Sequence, residues 1–171
     1  TILNENRLED DLKCIGFLIL SDVIRKDAKE TLDYFKKQGV QIKIISGDDP
    51  STVSAIARRC HLLDYENYID VSSLSDEEIK EAVEKYTIFG RVSPQQKKLM
   101  VTVLQENDHT VAMTGDGVND VLALKAADCS IAMASGSDAA KSASHIVLLE
   151  NNFNAMPHIV NEGRRVINNI T

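Results

Sequence analysis

The chain has 171 residues, 43% of them hydrophobic and 26% charged, the composition of a globular domain able to bury a core. A formal net charge of -7 argues against nucleic acid as a partner, because phosphate backbones select an excess of Lys and Arg. The longest apolar run, Cys14 to Leu20, is far too short to span a bilayer, and no signal peptide is visible.

In chain order, Ile15 to Leu20 predicts a short buried strand. Asp27 to Gln38 places Ala28, Leu32 and Phe35 on one helical face, and Gly39 ends the helix. Val40 to Ile45 alternates like a strand. Asp49-Pro50 then opens a helix to about Arg59, with the acid as cap and Pro in the first turn. Asn67 to Val71 reads as a short strand, and Ser75 with Glu78 forms a capping box for a helix to Lys85. Thr87 to Phe89 is another strand. Ser93-Pro94 with Gln96 starts a helix to about Glu106. Thr110 to Met113 and Cys129 to Met133 are strands on either side of an acidic loop and a helix patterned on Leu122 and Ala126. Ser137 to Ser144 is a short helix, His145 to Leu149 a strand, and Phe153 to Ile170 a helix with Pro157 near its start. Strands alternating with helices imply an α/β domain, a parallel sheet with helices on both faces. The length prior makes residues 1–171 a single domain. Cys14, Cys60 and Cys129 have no paired spacing and read as buried thiols of a reducing compartment.

Three stretches carry chemistry. Residues 113 to 124 run from an apolar strand into a small-residue loop with two carboxylates four apart, Asp116 and Asp120. Acids at the carboxyl end of a strand lie where open α/β sheets bind ligands. Carboxylates beside a Gly loop suit Mg²⁺, which keeps water and shares phosphate oxygens. An ordinary βα turn with Asp120 favourably placed in the first helical turn is the alternative. The second stretch, Ile44-Ile45-Ser46-Gly47-Asp48, is again a strand entering a small-residue turn before a helix. Ser46 can donate a hydroxyl to phosphate and Gly47 can bring a backbone N–H close, although a plain capped turn explains the same residues. The third is Lys97, in the first turn of a helix where the dipole disfavours a cation unless an anion compensates it; a solvated lysine, as expected for Lys98, is the alternative.

In this order these elements resemble the haloacid dehalogenase-like phosphotransferases, and more closely the phosphorylation domain of P-type cation-transporting ATPases. Ser46-Gly47-Asp48 resembles that family's Thr-Gly-Asp turn, Pro94-Gln95-Gln96-Lys97 its Pro-x-x-Lys, and residues 114 to 120 match its hinge motif letter for letter. Glu162-Gly163-Arg164-Arg165 resembles the segment leading into the fifth membrane helix, so residues 153–171 would point towards the membrane. Ser46 in place of Thr, and the run Ala132 to Asp138, resemble a bacterial subgroup of poorly defined ion specificity.

The departures are as specific. The Asp-Lys-Thr-Gly-Thr motif that carries the phosphorylated Asp in this family is absent from the chain, and the family's Asp-Pro-Pro-Arg stands altered as Asp22-Val23-Ile24-Arg25. Asp70-Val71-Ser72 lies in the wrong chain order for the nucleophile and reads as a loop acid. The resemblance therefore implies a phosphorylation-domain fragment without its nucleophile-bearing strand, unable to turn over ATP alone. In the intact pump it implies Mg²⁺ held by Asp116 and Asp120, and phosphate bound by Ser46, Gly47 and Lys97. It further implies a catalytic group of Lys97, Asp120 and Asn119, with Asp48 near the nucleotide, ATP. The implied partners are the missing strand and the nucleotide-binding, actuator and membrane domains of the same pump, with the transported cation held in the membrane. The implied location is the cytoplasmic face of a bacterial plasma membrane. A free-standing phosphatase of the superfamily and a non-catalytic phosphate-binding regulator are the alternatives. The phosphatase would need an Asp-x-Asp near the amino end, and none precedes Ser46. The gap left by the absent strand would fall between the strands ending at Ser46 and Met113. A rearranged sheet, a strand borrowed from Thr1 to Asp11 or a neighbouring chain, or a separately supplied segment would answer it.

Overall fold

The computed structural model describes residues 15–16, 24–25, 28–150 and 152–170. Six strands and seven α-helices are laid out along the described chain. They are α1 (Ala28–Lys37), β1 (Ile44–Ile45), α2 (Pro50–Arg59), β2 (Tyr68–Asp70), α3 (Asp76–Lys85), β3 (Ile88–Gly90) and α4 (Pro94–Glu106). There follow β4 (Ala112–Gly115), a 3-10 turn (Val118–Asp120), α5 (Val121–Ala126), β5 (Cys129–Met133), α6 (Asp138–Ala143), β6 (Ile146–Leu148) and α7 (Ala155–Ile170).

Local signals set most boundaries. Gly39 (φ 75°) ends α1 in a Schellman turn, with Gly39 N–H on Lys36 O and Val40 N–H on Phe35 O. Asp49 caps α2 by accepting from Ser51 N–H. Ser75/Glu78 and Ser93/Gln96 form the two expected capping boxes of α3 and α4.

The strands form two parallel three-stranded sheets, β1-β3-β2 and β4-β5-β6. Parallel neighbours need crossovers, which the intervening helices supply. In the first sheet Phe89 and Val71 pack with Ile79 and Val83 of α3; in the second Met113 packs with Ala123 and Leu124 of α5. Helix α4 belongs to both. Its Met100 and Val103 enter the first core while Val101 enters the second. Helix α1 adds to the second sheet's side: its Phe35 packs against the cluster of Ile131, Leu148 and Met156 and meets Phe153 at 6.1 Å between ring centroids.

Several expectations need correction. The strand forecast from Val40 shrinks to Ile44–Ile45, because Val40 uses its N–H to close the Schellman turn and is left exposed. The strand forecast at Thr110 to Met113 starts later and carries Thr114 and Gly115 into the acidic loop. Leu122 points outward; Ala123 and Leu124 are the buried pair. Cys60 and Cys129 are free thiols but half-buried, not buried. Of the strand forecast at Ile15 to Leu20, only Ile15 and Gly16 are described, exposed and outside any strand; the rest, with Thr1 to Asp11 and Cys14, lies outside the described residues. Among the described residues no sheet rearrangement closes the expected gap: β1 and β4 do not pair, and each ends its own sheet.

Candidate functional site: a lysine and two aspartates at a strand end

Strand β4 delivers Thr114 and Gly115 to a loop that doubles back on itself. Asp120, at the end of the 3-10 turn, is buried. Its Oδ2 accepts from Gly117 N–H at 3.0 Å and Asp116 N–H at 3.2 Å. Its Oδ1 accepts from Lys97 Nζ at 2.7 Å. Gly115 makes the fold-back possible: a Cβ there would stand 2.6 Å from Asp120 Cβ, closer than real contacts allow. The loop is braced from behind as well. Asp116 O accepts from Ser137 N–H at 2.8 Å, and a Cβ on Gly136 would press to 2.9 Å from that same oxygen.

Lys97 lies in the first turn of α4 and is buried, whereas Lys98 is exposed. The compensating anion is Asp120, so Lys97 is a fixed charge and not a solvated one. Asp116 differs from Asp120 in both burial and bonding. It is exposed, and its carboxylate has no hydrogen bond or ion pair among the described residues. Asn119 is exposed beside it.

Ser46 follows β1 directly. Its N–H donates to Phe89 O at 2.9 Å, and its O accepts from Val92 N–H at 2.9 Å. Its hydroxyl donates to Asp48 Oδ2 and accepts from Asp48 N–H, both at 3.1 Å. Gly47 has open space where a Cβ would sit, leaving its backbone approachable. Direct contact thus joins Lys97, Asp120 and the Asp116 loop. Ser46, Gly47 and Asp48 stand at the end of β1 in the other sheet, tied to α4 through the short β3–α4 connector. Asp70, expected to be a loop acid, is instead the last residue of β2, paired with Gly90 of β3; its carboxylate accepts from Ser72 N–H and Oγ, and those bonds hold its carboxyl below the usual range.

The donor set decides which metal the site can hold. No cluster of three His, Cys, Asp or Glu residues exists among the described residues, so no protein-built cage is present. One exposed, unengaged carboxylate beside a Gly loop fits an ion that keeps its water and shares phosphate oxygens, which is the habit of Mg²⁺. Sequence reasoning missed three contributors: Arg91, Gly136 and Ser137. Nothing in the local pattern of Gly90-Arg91-Val92 signals that its backbone supports Ser46; that is visible only in three dimensions.

Residues 3–128 match the haloacid dehalogenase-like hydrolase family. The chain belongs to that family. Its relatives among haloacid dehalogenase-like proteins are cation-transporting P-type ATPases. Over 160 residues it is 52% identical to a probable cation-transporting ATPase of Streptococcus pneumoniae, covering 94% of this chain and 21% of that protein. Over 158 residues it is 51% identical to the calcium-transporting ATPase CtpE of Mycobacterium bovis, covering 91% and 20% respectively. The chain spans about a fifth of the length of these curated relatives. A solved structure of a zinc-transporting PIB-type ATPase in its E2.Pi state matches with a TM-score of 0.69 at 28% identity, over 87% of this chain and 21% of that one. The catalytic domain of the CPx-ATPase CopB-B matches with a TM-score of 0.64 at 28% identity, over 82% and 46%. The α/β fold with parallel sheets agrees with these neighbours, and the chain resembles the phosphorylation domain of P-type cation ATPases. Haloacid dehalogenase-like hydrolases and P-type ATPases generally use Mg²⁺ and ATP. Among the described residues no helix is long and apolar enough to cross a membrane.

Proposed function

We propose that this chain, residues 1–171, is one phosphorylation domain of a P-type cation pump. In that pump ATP phosphorylates an aspartate supplied by polypeptide outside this chain, and the cycle drives a cation across a membrane. The observation that carries the reading is the buried Lys97–Asp120 pair at 2.7 Å beside the exposed, unpartnered Asp116. Phosphoryl transfer is catalysed mainly by positioning and charge stabilisation, and this arrangement provides both. Lys97 holds a positive charge towards the phosphoryl oxygens. Ser46 Oγ and Gly47 N–H donate to them, the Ser46 hydroxyl turning from its bond to Asp48. Asp48 stands at the nucleotide side of the turn. Asp120 spends both oxygens on Lys97 and the loop amides, so it orients the site from behind. That leaves Asp116 as the direct metal ligand, with Asn119 beside it. Mg²⁺, when bound, would be held by Asp116 and would supply positive charge that offsets the charge on the phosphoryl group.

The nucleotide-binding, actuator and membrane domains of the same pump are the partners, and α7 leads towards the membrane part. The transported cation binds there, and in this reading the domain lies at the cytoplasmic face of a bacterial plasma membrane. The test uses the full-length polypeptide that carries this domain. Labelled ATP and Mg²⁺ with an acid quench should give hydroxylamine-labile label, and Asp116→Asn should nearly abolish it. Label that survives Asp116→Asn at the wild-type level would remove the metal role.

A further inference from the structure

Four non-glycine residues have positive φ among the described residues: His61 (58°), Asp64 (61°), Arg91 (55°) and Asp108 (64°). Asp and His enter this region more readily than most types. Arg91 has no such intrinsic preference, so its surroundings must hold it there.

Those surroundings are specific. Arg91 directly follows β3, the middle strand of its sheet. Its N–H donates to Asp48 O at 2.8 Å. Its guanidinium reaches Asp49 Oδ2 at 2.9 Å and Asp70 Oδ2 at 3.5 Å. Asp49 lies just beyond β1 and Asp70 ends β2, so one side chain ties the ends of all three strands. The neighbours continue the clamp. Gly90 lies so close to Pro50 that a Cβ would stand 2.5 Å from its ring. Val92 N–H donates to Ser46 O, and Ser93 caps α4, where Lys97 N–H meets Ser93 O at 3.0 Å. The three residues Arg91 to Ser93 thus grip the Ser46 turn at one end and launch the Lys97 helix at the other.

Stability does not account for Arg91. An L side chain in this backbone region is sterically unfavourable, and half-exposed ion pairs contribute little. We propose that Arg91 is a positioning residue for the phosphoryl site: it fixes the Ser46-Gly47 turn relative to Lys97. This rests on the reading of the site given above.

Three variants separate this role from a merely structural one. Arg91→Gly keeps the backbone shape and relieves the steric cost, Arg91→Lys keeps the charge without the two-pronged grip, and Arg91→Ala removes the grip and keeps the cost. In the 171-residue chain, Arg91→Gly should leave the melting temperature unchanged or higher. It should nevertheless speed amide exchange at Asp48, Val92 and Lys97 about tenfold and leave β5 unchanged. In the full-length polypeptide the same variant should slow phosphoenzyme formation about tenfold or more at unchanged KM for ATP, with Arg91→Lys in between. Unchanged exchange at those three amides overturns the proposal. So does loosened exchange with a wild-type rate, or a uniform rise in exchange with a lowered melting temperature. A wild-type polypeptide that forms no phosphoenzyme would instead defeat the functional reading, and the exchange pattern alone would then decide whether Arg91 sets this geometry.

Discussion

Lys97 Nζ and Asp120 Oδ1 meet at 2.7 Å with each side chain only 11% exposed. Neither charge has ready access to bulk water, so each depends on the other. Breaking such a pair by removing one partner strands a buried charge and costs about 3 kcal/mol or more. Lys97→Met in the isolated chain should therefore lower unfolding free energy by roughly that amount in urea. Asp120→Asn should do the same, since it strands Lys97. A loss near zero for both variants would mean that water reaches the pair freely.

Metal binding should depend on the other aspartate. Asp116 is exposed and unengaged, so Mg²⁺ should bind the isolated chain weakly, in about the millimolar range, because few protein oxygens are available. Amide shifts of Gly115 to Asp120 should move on Mg²⁺ titration in the wild type and hardly at all in Asp116→Asn. Equal responses in the two proteins would take Asp116 out of the role.

Much of this arrangement was legible in the residues before any coordinates. The capping boxes at Ser75 and Ser93, the Asp49-Pro50 start and the Gly39 stop each depend on a few neighbouring residues, and each forms as expected. The α/β architecture followed from alternating elements. What escaped depended on distant partners. Val40 keeps a strand-like pattern yet gives its N–H to the turn that ends α1, so β1 begins only at Ile44. Leu122 satisfies a helical pattern, but α5 buries Ala123 and Leu124 instead. Sequence spacing brought Asp116 and Asp120 together but did not show that Asp120 is buried and engaged while Asp116 is exposed. Arg91 carries no local signal, because its partners are distant in sequence: Asp49 caps α2 and Asp70 ends β2.

The separation of the two sheets bears on activity. Ser46 lies beyond β1 and Asp116 beyond β4, strands that do not pair among the described residues, and no Asp-Lys-Thr-Gly-Thr motif stands in the chain. The proposed function draws the carboxylate nucleophile from polypeptide outside these residues, so the 171-residue chain incubated alone with labelled ATP and Mg²⁺ should form no acyl-phosphate. Hydroxylamine-labile label on the isolated chain would show that one of its own acids serves instead.

Acid should weaken the fold through carboxylates whose hydrogen bonds hold them below their ordinary values. Ser51 does this to Asp49, Ser72 to Asp70, and the Val111 N–H to Asp128. For such depressed groups the unfolded chain binds protons first. Their contribution is fully present above the unfolded value of about 3.9 and is lost as pH falls through the lower folded values. Melting temperature should accordingly be insensitive to these groups above about pH 5 and drop below about pH 4. Asp128→Asn should flatten part of that drop; an unchanged acid limb would show that Asp128 does not contribute.

The central claim is that Lys97, fixed by Asp120, is the cation of a phosphoryl-transfer site. The most direct measurement compares Lys97→Ala with Lys98→Ala in the full-length polypeptide, reading the rate of phosphoenzyme formation from ATP after acid quench. Adjacent lysines on one helix differ in burial and partner but not in charge. Lys97→Ala should slow formation by a factor of about a hundred or more, the scale of losing one preorganised transition-state contact, while Lys98→Ala should stay near wild type. The same mild loss in both variants would contradict the account and leave Lys97 an ordinary structural lysine.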